Sequence, residues 1–293
     1  VDTVQIRAAR PEDKELVLAF CMQTWEWGDY LPEVWDTWMA DPQGKLLVAD
    51  YAGQPVAVVH AVMVAPTEGW LEGLRTDPRY RRRGIATRLN DGAISMLREW
   101  GARVVRLASY VDNVAAHRLV ERAGFRRAGA FIPFAAAAMA NAGEPRTVLG
   151  PADRERVLRF LARSNVFPVT GGLIYIGWKA RELTAEVVAE RLASGQVLAI
   201  GEETETGLPL ALAFIAADRD AEDHEPALRV EYVDGETDAV SHLALALRQE
   251  AGQRGLPRVT AQLPDVLVIQ DAFRGAEYTN RTDGIFLVFA KAV

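Results

Sequence analysis

The sequence predicts an α/β protein made of two copies of one fold. Three observations lead there. Apolar runs of strand length alternate with stretches of helical spacing along the 293 residues. The order of these segments in the first half recurs in the second. One stretch of the first half, Glu72-Gly73-Leu74-Arg75-Thr76-Asp77-Pro78-Arg79-Tyr80-Arg81-Arg82-Arg83-Gly84-Ile85-Ala86-Thr87, reads as a strand, a Pro-containing turn and the start of a helix.

Taken in order, Gln5 to Ala9 is expected to be the first strand. Arg10-Pro11-Glu12-Asp13 starts a helix, with its acids where the helix dipole favours them, and Lys14 to Gln23 carries Leu16, Val17, Phe20 and Cys21 at helical spacing. An aromatic segment follows, with Trp25, Trp27, Tyr30, Trp35 and Trp38 separated by Asp29, Glu33 and Asp36; Trp35 and Trp38 read as the core face of one helix. Leu46 to Asp50 and Pro55 to Val64 are two strands joined by a turn at Ala52-Gly53-Gln54. Then come the strand Trp70 to Thr76, the arginine-rich turn, a helix reaching Trp100, a strand Val104 to Ser109, a helix Asn113 to Arg122 and a strand-like run Phe125 to Phe134. The small, polar-poor run Ala135 to Gly143 is expected to separate two domains, 1–140 and 141–293.

The second half echoes the first. Arg10-Pro11-Glu12-Asp13 matches Gly150-Pro151-Ala152-Asp153, the hairpin at 46–64 matches Val197 to Ala216, and Gly101-Ala102-Arg103-Val104-Val105 matches Gly255-Leu256-Pro257-Arg258-Val259. Carried through the last of these offsets, Arg81 to Ala86 falls on Gly235-Glu236-Thr237-Asp238-Ala239-Val240, and Asn113 falls on Leu267. Acids stand where arginines stood, and they would repel a phosphate.

In the first half, three arginines sit where a helix begins. The N–H groups and dipole at a helix start favour anions, and Gly84 and Ala86 keep side chains out of the way of a close backbone approach. The stretch is either a phosphate-binding turn or a basic surface turn. The spacing Arg81-x-x-Gly84-x-Ala86 resembles the acyl-CoA loop of the GNAT superfamily of N-acetyltransferases, and Leu107 to Phe125, with Asn113 opening a helix that closes on Gly124-Phe125, is similar to its second signature. The resemblance covers roughly the first half of the chain. It implies two tandem GNAT-like domains, each a mixed, mainly antiparallel twisted sheet flanked by helices. The second would be degenerate and lack a phosphate loop.

What the resemblance implies for the site follows residue by residue. Leu74, Arg75 and Thr76 would offer backbone groups to the pantetheine arm of acetyl-CoA. Arg81, Arg82, Arg83, Gly84, Ile85, Ala86 and Thr87 would hold the pyrophosphate. Asn113 would bind the pantetheine region, or cap its helix. Glu72, a lone carboxylate among Trp70, Leu71, Gly73 and Leu74, is the candidate general base, or else a structural acceptor. Trp27, Asp29 and Tyr30 lie where the family places substrate-facing helices; aromatics could stack on the acceptor and Asp29 could meet its ammonium. The sequence departs from the family pattern at Val120, where many members carry a Tyr that protonates the thiolate, so the acid is unassigned. The string Asp29-Tyr30-Leu31-Pro32, the Trp70–Arg75 strand and the altered second half together look similar to a histidine N-acetyltransferase-type subgroup, which implies a free amino acid as acceptor.

Bulk properties narrow the class. A formal charge of −7 argues against nucleic acid or a membrane surface as partner, and no apolar run is long enough to span a bilayer. One cysteine, Cys21, excludes an internal disulfide and fits a cytoplasmic protein; four scattered histidines suggest no metal site. The expected activity is transfer of acetyl from acetyl-CoA, as co-substrate, to a small-molecule primary amine, by a monomer or homodimer. An acyl-CoA sensor without turnover, or a protein N-terminal or lysine acetyltransferase, are the alternatives.

Overall fold

The computed structural model describes residues 4–22, 28–140, 143–219, 225–282 and 284–293. The chain forms two compact units: Val1–Ala108 with Asn113–Arg127 and Phe289–Val293, and Ser109–Asp112 with Ala128–Val288.

The first unit runs β1 (Gln5–Ala8), α1 (Lys14–Cys21), α2 (Leu31–Met39), β2 (Gly44–Tyr51), β3 (Gln54–Ala65), β4 (Glu68–Thr76), α3 (Ile85–Glu99), β5 (Val104–Tyr110) and α4 (Val114–Arg122). Strands β1 to β4 pair antiparallel in chain order, and β5 joins β4 in parallel. Val17, Phe20 and Cys21 of α1 and Leu31, Trp35 and Trp38 of α2 form one core with Leu46, Val48 and Val58 of the sheet. The intervening Leu47 and Ala49 are buried too, so β2 is covered on both faces. Helix α3 buries Ile85, Leu89, Ala93 and Leu97, one stripe at helical spacing. Each such large side chain removed from water stabilises the unit by roughly 1.5–3 kcal/mol.

The second unit runs β6 (Arg126–Ala137), β7 (Thr147–Leu149), α5 (Arg154–Arg163), α6 (Val166–Val169), β8 (Leu173–Ile176), β9 (Lys179–Glu182), α7 (Ala185–Ala193), β10 (Val197–Ile200), β11 (Ala211–Arg219), β12 (Pro226–Gly235), α8 (Thr237–Gln253), β13 (Arg258–Pro264), α9 (Leu267–Gly275) and β14 (Thr279–Asn280). The last strand, β15 (Phe286–Ala292), begins in this unit and ends in the first. The sheet order here is β6-β13-β12-β11-β10-β7, with β14 also on β6. As in the first unit, the parallel pair, β12 with β13, follows antiparallel neighbours. The two copies even share a cap: the Arg10 N–H donates to Asp13 at 2.7 Å, and the Gly150 N–H donates to Asp153 at 2.9 Å.

The boundary expected at residue 140 lies inside the second unit. Ala135, Ala136 and Ala137 do not form a linker. They continue β6 and pair with Thr260, Val259 and Arg258 of β13, so tertiary pairing overrides the weak strand preference of alanine.

Candidate active site

The parallel pairing of β4 with β5 ends early. Glu68, Gly69 and Trp70 match Val104, Val105 and Arg106, and no pair follows among the described residues. Beyond Trp70, β4 continues as Leu71–Thr76 on the β3 side alone, with Thr76 opposite Ala57. This leaves one edge of Leu71–Thr76 open between two diverging strands, where an extended ligand could take up backbone hydrogen bonds. The closed end is fastened by an ion pair between Glu68 and Arg106, both buried. Register against β3 shifts between Val58/Arg75 and His60/Glu72, a bulge that puts Gly73 at φ +68°. A Cβ on Gly73 would stand 2.6 Å from the Trp38 ring. Glycine is therefore required here twice over, by conformation and by space.

The turn after β4 is held by Asp77, whose carboxylate accepts the Arg79 N–H at 2.9 Å and its guanidinium at 2.7 Å. These bonds hold the Asp77 carboxyl below its usual value. Arg81 reaches back to the Thr76 carbonyl at 3.4 Å, and the Arg83 guanidinium lies 5.3 Å from the Tyr80 ring centre. Arg81, Arg82, Arg83 and Gly84 are exposed together, ahead of Ile85, which is buried. Gly84 is the residue before α3, at φ +74°, with no side-chain cap and open space where a Cβ would point. Ala86 and Thr87 occupy the first turn of α3. An uncapped helix start with exposed arginines and a left-handed glycine suits a phosphate group. The described residues of the second unit show no arginine-rich turn before α8. Its β12 passes into α8 through Glu236 alone, and Asp238 lies in the first helical turn.

Glu72 does not stand alone. Its Oε1 is 2.9 Å from Nδ1 of His60, a fully buried residue on β3. Nε2 of the same imidazole is 3.4 Å from the Asp41 carboxylate, and Trp38 stacks on the ring at 4.7 Å and 9°.

Asp29 is committed elsewhere. Its buried carboxylate accepts the Arg75 Nε–H at 2.6 Å and the Leu31 N–H at 3.1 Å. Burial would lower the Arg75 guanidinium, but Tyr30 and Asp29 outweigh it and the net shift is upward. The Arg75 guanidinium is therefore held by Asp29, and it also donates to the Leu74 carbonyl at 3.1 Å. Tyr30 is 36% exposed, edge-on to Trp38 and 5.4 Å below the Arg75 guanidinium. Trp27 lies outside the described residues. Cys21 is buried, and burial, then Asp29, push its thiol up to about 12. It is not a nucleophile at neutral pH.

Asn113 is the N-cap of α4, its Oδ1 accepting the Ala116 N–H at 3.2 Å. Val120 is buried and supplies no acid. Tyr110 lies against Phe286 and His117 against Phe289. The sequence reading placed Glu72, the turn and Gly84 together. It missed that His60 adjoins Glu72 and Asp41: His60 is a polar residue at a buried strand position, and Asp41, in the turn after α2, carries no sequence signal.

The profile of the acetyltransferase (GNAT) family matches residues 13–125. No curated protein matches the chain by sequence. Among solved structures, a Thermoplasma acidophilum protein described as an acetyltransferase is 17% identical, with TM-score 0.58, covering 99% of this chain and 100% of its own. A GCN5-related N-acetyltransferase from Sphaerobacter thermophilus is 16% identical, with TM-score 0.59 and coverages of 99% and 95%. A glucosamine N-acetyltransferase region of a fungal multi-domain β-N-acetylglucosaminidase is 14% identical, with TM-score 0.61, over 99% of this chain and 38% of that one. At such identities the structures speak for the fold, which extends over nearly the whole chain. Residues 13–125 thus belong to the GNAT family of acetyl-CoA-dependent N-acetyltransferases.

Proposed function

We propose that the chain moves an acetyl group from acetyl-CoA to the primary amine of a small molecule by direct attack, with Glu72 as the general base. One observation carries this: the pairing of β4 with β5 ends at Trp70/Arg106, and Glu72 is the first ionisable residue of β4 beyond that point. The chain's own features fit acetyl-CoA, which supplies the reactive thioester. The open edge of Leu71–Thr76 offers backbone groups of Leu74, Arg75 and Thr76 to an amide-bearing arm, and the turn Arg81–Thr87 offers N–H groups and positive charge to phosphates. Glu72 takes the proton that the acceptor amine must lose, directly or through one water. Trp38 and Tyr30 supply an aromatic wall near the base. Asp29 is held by Arg75, so the ammonium of the acceptor is better matched by Glu72 itself. A free amino acid is the first acceptor class to test, on the resemblance to the histidine N-acetyltransferase-type subgroup. The second unit is read as a degenerate copy that binds no acetyl-CoA, a reading supported by the missing turn between β12 and α8 and by Glu236 and Asp238.

Binding without turnover is favoured by one specific observation, the buried Val120 where many relatives carry an acid. A thiolate leaves readily and takes its proton from water, so this does not forbid catalysis. The deciding experiment measures thiol release from acetyl-CoA against free amino acids, polyamines, aminoglycosides and short peptides, with Glu72→Gln alongside. Release with one small-amine class, reduced about 10²- to 10⁴-fold in Glu72→Gln with acetyl-CoA affinity kept, is the expected result. Release only with peptides would shift the acceptor to proteins. Full activity in Glu72→Gln would remove the base.

A further inference from the structure

The imidazole behind Glu72 is built into the first unit with some care. His60 has no exposed surface, yet both ring nitrogens face carboxylates: Nδ1 faces Glu72 at 2.9 Å and Nε2 faces Asp41 at 3.4 Å. The three residues come from three separate places, β3, β4 and the turn after α2, so the alignment is a product of tertiary packing. Trp38 covers one face of the ring in parallel stacking. Space has been kept for it as well. Gly44 has an ordinary negative φ, so its backbone does not demand glycine, but a Cβ there would be 2.5 Å from Nε2 of His60. At 3.4 Å from Asp41, Nε2 makes no hydrogen bond, and a buried polar ring with one nitrogen unsatisfied costs stability that Val or Leu at this β3 position would not.

We propose that His60 is a positioning residue for Glu72, and that Asp41 is the group that fixes His60. The proposal rests on the reading of Glu72 as the base. The Nδ1–H of His60 donates to Oε1 of Glu72, which fixes the carboxylate's rotamer and favours its ionised form. Asp41 faces the opposite nitrogen, and Trp38 and the bare Gly44 hold the ring plane. His60 itself touches no substrate. Among the described residues, charged or titratable groups near the pair include Tyr30, edge-on to Trp38, and Arg75 on β4 with its partner Asp29.

The test compares full-length His60→Leu, His60→Asn and Asp41→Asn with Glu72→Gln, using acetyl-CoA and the acceptor found active. Asn places an N–H donor close to where Nδ1 stands and removes Nε2, so it keeps the bond to Glu72. The expected result for His60→Leu is a fall in kcat of about 10- to 100-fold, the size of effect that misplacement of a reacting group produces. Its KM for acetyl-CoA should be unchanged, and the acidic limb of its kcat–pH profile should move to higher pH because Glu72 has lost a donor to its ionised form. His60→Asn should recover most of the kcat and the parent pH limb, and Asp41→Asn should fall between. Unchanged kcat and pH profile in His60→Leu, or His60→Asn no better than His60→Leu while both bind acetyl-CoA normally, would overturn the proposal. If Glu72→Gln is fully active the base reading itself has failed. A dead Glu72→Gln beside a normal His60→Leu refutes the positioning role alone. Should His60→Leu fail to fold, the comparison of Asp41→Asn with His60→Asn by pH profile still decides it.

Discussion

Asp13, at the start of α1, and Asp77, in the turn after β4, are single carboxylates whose ionised form is favoured by their neighbours. Burial raises Asp13, but the bonds from Arg7 and from the Arg10 N–H outweigh it, so its carboxyl lies below the usual range. Asp77 is lowered chiefly by Arg79. An acid whose folded value is below its unfolded one, about 3.9 for Asp, adds stability that is fully present above the unfolded value and is lost as pH falls through the folded one. Asp234 runs the other way: burial raises it despite the bonds from Ser164 and Tyr232, so its cost is relieved on acidification. The expected outcome is a loss of chemical-denaturation stability beginning near pH 4 in signals from the first unit, and Asp13→Asn should flatten that slope. A parent protein with flat stability from pH 5 to 2.5 would contradict the assignment. These pairings were invisible in the sequence, where Arg7, Asp13 and Asp50 are only scattered charges. The cap motif Arg10-Pro11-Glu12-Asp13 was legible, because its bond is local.

At the scale of elements, the strand β4 carries most of the proposed site, and its distinguishing feature is an irregularity. The Gly73 bulge turns the strand between Glu72 and Arg75, so that Glu72 pairs with His60 while Leu74–Thr76 lead on to the arginine-rich turn. Gly73→Ala forces an L side chain to φ +68° and drives a methyl group to 2.6 Å from Trp38. The left-handed conformation alone costs about 1–2 kcal/mol. The expected outcome is a Tm lowered by several degrees together with weaker acetyl-CoA binding, read by calorimetry and titration; an unchanged affinity would mean that the bulge does not shape the open edge. Sequence reading found β4, its Glu and the helix after it, since apolar pattern, Pro78 and Gly84 mark them locally. It could not find the β3–β4 register. That register shifts twice, between Val58/His60 and between Met63/Ala65, and each shift moves later residues to new partners. Hence His60, lying within an apolar run, gave no sign that it meets Glu72. The strand at Ala135–Ala137 was missed for a related reason: its pairing with β13 is contributed by residues more than a domain's length away in local terms, and alanine carries no strand signal of its own.

At the scale of the whole molecule, the recurring caps were legible because they are local features. Its units were not, because one of them is completed from the far end of the sequence. Phe289–Val293 belongs to the first unit. There the Val293 N–H donates to the Arg103 carbonyl at 3.0 Å, Phe289 is buried, and its ring lies 5.1 Å from His117 on α4. The sheet order puts β15 next to β5. A fragment cut at residue 140 would leave that side of β5 as an unpaired edge and would expose the apolar surface that Phe289 covers, both of which favour aggregation over folding. Removing one buried Phe costs about 3–5 kcal/mol where the surroundings cannot collapse, a large part of a typical domain's total stability. The expected outcome is that fragment 1–140 neither unfolds cooperatively nor binds acetyl-CoA, whereas the full chain with only Phe289→Ala folds with a lowered Tm. Adding Phe286–Val293 in trans as a peptide should restore cooperative unfolding to the fragment in proportion to its concentration, since anything that binds only the folded form stabilises it by mass action. Tight acetyl-CoA binding by 1–140 alone would show instead that the first unit is complete without its last strand, and that the early end of the β4–β5 pairing is enough to make the site.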